Sequence, residues 1–97
     1  MKALSAYMGC VMADPFEDKP PFSQELTDYD RAHIKLYMRL LDATADGADW
    51  REAVEILFGI DPRREPERAR RVHDHHLQRA RWMTQTGYRL LLREVAN

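Results

Sequence analysis

The stretch from Pro66 to Thr86 constrains the fold more than any other part of the chain. Wound at 3.6 residues per turn, it gathers Ala69, Val72, His73, His76, Leu77, Ala80 and Met83 into an arc of about 140°. Arg71, Asp74, His75, Gln78, Arg81 and Trp82 lie opposite, with Arg68 and Arg79 at the border. A long helix with one apolar face has to bury that face against other elements. No segment shows the two-residue alternation of a half-buried strand, so those elements are helices and the class is all-α, a small domain of three or four helices. Pro66 suits the first turn of this helix, and Gly87 is expected to end it.

Two partner helices are legible upstream. Thr27 is a natural N-cap for a first helix over about 28–45, with Asp28 and Asp30 placed to favour its dipole. Ile34, Tyr37, Met38 and Leu41 form its apolar stripe, and Leu36 and Leu40 widen the stripe to an arc of about 200°, roughly twice what one core face needs. Either this helix is central and packed on both sides, or Leu36 and Leu40 supply a surface for a partner. After a turn at Asp46-Gly47-Ala48, Asp49-x-x-Glu52 reads as a capping box opening a second helix over 50–58, which Gly59 stops in a left-handed cap. Ala53, Val54, Ile56, Leu57 and Phe58 make that helix too apolar for the surface. Tyr88 to Arg93 is a short helix or tail whose leucines close the core.

Ninety-seven residues suffice for one core only. Asp14-Pro15 and Lys19-Pro20-Pro21 interrupt regular structure, so residues 1–25 read as a flexible N-terminal arm and residues 26–97 as the domain. Lys2 and the apolar residues up to Ala13 are too short a segment for a signal peptide, and no apolar run approaches the roughly 18 residues of a membrane span. Cys10 has no second cysteine to pair with, which fits a reducing, cytoplasmic setting.

The charges sum to −1, from 15 basic and 16 acidic residues, but they are not evenly spread. Residues 1–26 carry two Lys against four acids, residues 27–62 four basic against eight acidic residues, and residues 63–97 nine Arg against four acids, or −2, −4 and +5. A buried second helix, a connection and an arginine-rich third helix outline a helix-turn-helix, of an extended-turn kind because the connection from Gly59 to Glu65 exceeds the usual three or four residues. Glu65, Glu67 and Asp74 lie where that helix would approach DNA, and each repels phosphate.

His73-Asp74-His75-His76 offers only one pair of imidazoles at helical ligand spacing, His73 and His76, on the apolar face. They read as core histidines, and no metal site is expected. Cys10 has no neighbouring base, and no phosphate loop, nucleophile elbow or paired carboxylates can be found, so neither an enzyme nor a cofactor is expected. Trp50 reads as a rim-of-core aromatic. Trp82 either packs under the Tyr88–Leu92 segment or stands as an exposed anchor.

Glu55-Ile56-Leu57-Phe58-Gly59, the arginine-studded helix after it, and Thr86-Gly87-Tyr88-Arg89-Leu90-Leu91 together resemble a domain family of proteobacterial mobile elements, formerly of unknown function and regarded as an extended-turn helix-turn-helix. The resemblance spans about Leu26 to Leu92 and implies two roles. Some members are activators whose domain binds DNA, with contacts that fall here on Arg63, Arg64, Arg68, Arg71 and Arg81. Others, the QseM-type antiactivators, bind the N-terminal domain of a related activator. They block the genes for excision and conjugative transfer of an integrative and conjugative element, a form of horizontal gene transfer under quorum-sensing control.

The acids among the arginines lead us to expect the antiactivator, with weak or absent DNA binding, a partner activator and, as a second candidate partner, a quorum-sensing regulator. Its docking surface would be Tyr29, His33, Leu36, Tyr37, Leu40 and Trp82. The alternative is a small sequence-specific DNA-binding regulator that uses the third helix directly.

Overall fold

A computed structural model describes residues 16–96, and the regular structure among them is helical throughout. An N-terminal strap over 16–26 leads into α1 (Asp28–Ala32) and α2 (Ile34–Ala45), followed by α3 (Trp50–Phe58) and α4 (Pro66–Trp82). A π-turn over Met83–Gly87 then passes directly into α5 (Tyr88–Ala96). Cys10 and the apolar residues before Ala13 lie outside the described residues.

The expected first helix is divided in two at His33. Thr27 caps α1 in a full capping box: its hydroxyl accepts from the Asp30 amide at 3.1 Å, and the Asp30 carboxylate accepts from the Thr27 amide at 3.0 Å. At His33 the backbone leaves helical geometry, with φ −119° and ψ 20°. The His33 ring stacks on Tyr29 at 3.9 Å between centroids, and its Nδ1 donates to the Tyr29 carbonyl at 2.8 Å. A side chain thus satisfies a carbonyl that the helical ladder would otherwise have used.

Helix α3 has the expected bounds. Asp49 caps it by accepting from the Arg51 amide at 2.9 Å, and Gly59 closes it at φ +70°, donating to the Glu55 carbonyl. Ala53, Val54 and Phe58 are buried, Leu57 half-buried, and Ile56 exposed, so the helix has an outer side after all.

Helix α4 is the axis of the molecule and packs on both α2 and α3. One core cluster joins Val54, Phe58, Ile60, Ala69 and Val72, with Phe16, Leu36, Trp50 and Leu57 against it. The other joins Leu26, Tyr37, Ala80 and Met83, with Ile34, Leu41, Trp82, Leu90 and Leu91 against it. The expected apolar arc of α4 is inward-facing, with one addition: Arg79 is as buried as its apolar neighbours.

Gly87 does not end the helix. A Cβ there would stand 2.7 Å from Met83 Sδ and 2.8 Å from Trp82 Cζ3, and the φ of Gly87 is not positive. The glycine is needed for a close approach inside the π-turn, which carries the chain on into α5.

The described part of the expected arm, residues 16–25, is tied to this body. Phe16 meets Phe58 edge-on at 5.0 Å, Pro20 is buried, and the Glu17 amide donates to the Tyr29 hydroxyl at 3.0 Å. No helix among the described residues is long and apolar enough to cross a membrane.

Candidate nucleic-acid interface

The outward side of α4 collects the polar positions. Arg71, Asp74, Gln78 and Arg81 recur at intervals of three and four residues, the spacing that keeps side chains on one helical face, Gln85 follows in the π-turn, and all are exposed. Beside them the strap residues Phe22, Ser23 and Gln24 form the opposite wall of an open groove of about 870 Å³, lined on the helix side by Gln78, Arg81 and Gln85.

Asp74 is central to this face, yet its charge is answered locally. Its carboxylate accepts from Arg70 Nε at 3.1 Å and from His73 Nδ1 at 2.9 Å. Burial works to raise its pKa, but these two hydrogen bonds outweigh burial and hold it below the usual carboxylate range. Glu65 lies 3.4 Å from Arg68, whereas Glu67 is exposed with no ion pair among the described residues.

The arginines separate into two groups. Arg68 is engaged: Asp18 of the strap receives Nε at 3.0 Å and Nη2 at 2.9 Å in a forked pair. Arg63 sits 4.0 Å from Asp61, a long contact on a very exposed side chain. Arg64, Arg71 and Arg81 are exposed and have no ion pair among the described residues. Of the five arginines that the resemblance marks for DNA, one is thus masked and four point to solvent.

The surface expected to dock a protein partner is largely interior. Tyr37 and Leu40 are buried in the core, His33 is buried, and Leu36 packs on the α3–α4 cluster. Tyr29 is half-buried, with its hydroxyl 2.6 Å from His76 Nε2. Trp82 is half-buried, with the Arg79 guanidinium 3.7 Å over its ring, so it packs in place and is not a free anchor. The wide arc of the first predicted helix therefore reflects packing on both sides, except at Met38, which was expected in the apolar stripe and is exposed.

His73 and His76 are buried, as the wheel suggests. His76 Nδ1 donates to the Val72 carbonyl at 2.8 Å, which leaves Nε2 to accept from the Tyr29 hydroxyl. Burial pulls its pKa down to about 4, so the ring is neutral at pH 7. Both nitrogens are spoken for, and among the described residues no group of three or more metal-ligating side chains forms.

Sequence reasoning missed the buried pair of Asp30 and Arg79. Arg79 gives Nε to Oδ1 at 3.0 Å and Nη2 to Oδ2 at 2.6 Å, and it also donates to the carbonyls of Ser23 at 2.8 Å and Glu25 at 3.0 Å. Tyr37 adds its hydroxyl to Asp30 at 2.9 Å. Burial pushes the Asp30 pKa upward, and the donors from Arg79, Thr27 and Tyr37 more than reverse it. The available signal was the wheel, where Arg79 falls only about 20° from Val72, inside reach of the core.

A protein-family model described as "T6SS, Transcription factor, DNA binding domain" matches residues 4–93. A search of curated proteins finds no match.

Proposed function

Since the chain belongs to this RovC DNA-binding-domain family, we propose that it is a transcription regulator that binds duplex DNA through the outer face of α4. The observation that carries the reading is the family match over residues 4–93, and the local pairing of Asp74 with Arg70 lessens the electrostatic objection to DNA on that face. What remains there is a row of side chains suited to base edges. Arginine pairs with guanine O6 and N7, and glutamine with adenine N6 and N7, in the major groove. Arg81 and Gln78 take those roles on α4, with Gln85 beside them in the π-turn, while Arg71 on α4 and Arg64 in the connection before it serve backbone phosphates. Helix α3, the connection with its buried Ile60, and α4 supply the helix-turn-helix frame. The role requires no catalytic group.

A gel shift tests it, using the whole chain and duplexes from the promoter region of its own gene over a range of salt. Binding should weaken steeply with salt, and Arg81→Ala should lose roughly 1–3 kcal/mol of binding free energy with an unchanged melting temperature. No shift even at low salt would defeat the reading. The QseM-type antiactivator role draws no support from the family match, and most of the surface it called on is packed inside the protein.

A further inference from the structure

The forked contact between Asp18 and Arg68 joins the strap to the edge of the α4 face from which DNA would be approached. Arg68 presents Nε and Nη2 in parallel to the two carboxylate oxygens, with Nε–Oδ1 at 3.2 Å, while its Nη1 donates to Glu65 Oε1 at 3.4 Å outside the fork. A planar guanidinium offers this same fork to a phosphodiester, whose two free oxygens stand in place of the carboxylate pair. The contact is also accessible: the Asp18 side chain keeps 45% of its exposure and Arg68 keeps 37%. Arg71, one turn further along α4, is exposed, and so is Arg64 in the connection that precedes the helix, so both add exposed positive charge near Arg68 in the sequence.

We infer that Arg68 is a nucleic-acid phosphate site occupied at rest by Asp18, a carboxylate standing in for the phosphate, so that DNA binding requires a side-chain exchange. This rests on the DNA-binding reading above. The strap need not detach for the exchange, because Phe16, the buried Pro20 and the carbonyls held by Arg79 anchor it on either side of Asp18. Only the carboxylate swings away. The low pKa of Asp18, set first by the hydrogen bond from Arg68, means that the mask stays charged throughout the neutral range. Each masked arginine withholds one phosphate contact and the counterion release that goes with it.

The experiment compares the full chain with Asp18→Asn, Arg68→Ala and the double variant. Each binds a fluorescent 20-base-pair duplex of mixed sequence, read by anisotropy from low to moderate salt, with circular dichroism melts to establish folding. Asp18→Asn should bind about three- to tenfold more tightly at low salt, with a slope of log K against log salt steeper by about 0.9. In the Arg68→Ala background the Asp18 change should have no effect. Equal binding by the full chain and Asp18→Asn would overturn the inference and leave the DNA-binding reading intact. So would a gain that persists without Arg68, since it would come from net charge alone. Absence of binding by every folded variant would overturn both.

Discussion

Two aspartate–arginine forks tie the segment before α2 to α4, and they differ in almost everything except geometry. Arg68 and Arg79 stand three turns apart on one helix, and each grips a carboxylate through Nε and Nη2. The Arg79 pair is sealed: Arg79 is 1% exposed and Asp30 0%, and Tyr37, Thr27 and two backbone carbonyls complete its hydrogen bonding. The Arg68 pair is open to water. Burial makes the first fork part of the core, where neither partner tolerates the loss of the other, while exposure leaves the second weak and exchangeable. One residue pairing thus serves architecture at one end of the helix and ligand access at the other.

The strongest way to break the contrast is Arg79→Ala. It strands a buried carboxylate and two strap carbonyls, and should cost about 3–5 kcal/mol in urea unfolding. A loss near that of a surface pair would erase the distinction.

Acidification acts on His76, which lies between the forks. Its pKa falls from about 6.5 unfolded to about 4 folded, so the unfolded chain binds the proton more readily. Stability is full above pH 6.5 and declines as pH drops toward 4, by about 3 kcal/mol in all. Urea midpoints followed between pH 7.5 and 4.5 should show this fall, and a flat profile would contradict the buried neutral ring.

The smallest effect belongs to Asp18→Asn, which should change stability by less than about 1 kcal/mol and by still less at high salt. A loss comparable to that of Arg79→Ala, measured in the same urea titration, would make the open fork structural too.

What the sequence reveals follows from how local each signal is. The bounds of α3 are legible because Asp49 and Gly59 act on their own neighbours, and the core face of α4 is legible because its period is regular. The break at His33 depends on a ring-to-carbonyl bond with Tyr29, and Gly87 looks like a stop because glycine at a helix end resembles glycine at a close approach. For the candidate site, the arginines and Asp74 were readable as a face. The long-range pairings were not, because Asp18 and Arg68 lie 50 residues apart and Asp30 and Arg79 lie 49 apart. The pairing of Asp74 with Arg70, four residues away on the same helix, was within reach of the sequence, and without it Asp74 reads as repulsion of DNA.

The grip of Arg79 on the carbonyls of Ser23 and Glu25 also shapes the order of folding. These bonds span 56 and 54 residues, so they close long loops whose entropy must be met before they form. The α3–α4 hairpin, built from near neighbours, is expected to assemble early, and the strap to seat itself in the last step. By the same logic, transient openings of the native state begin at the strap, making the backbone around Pro21–Gln24 the earliest place for a protease to cut.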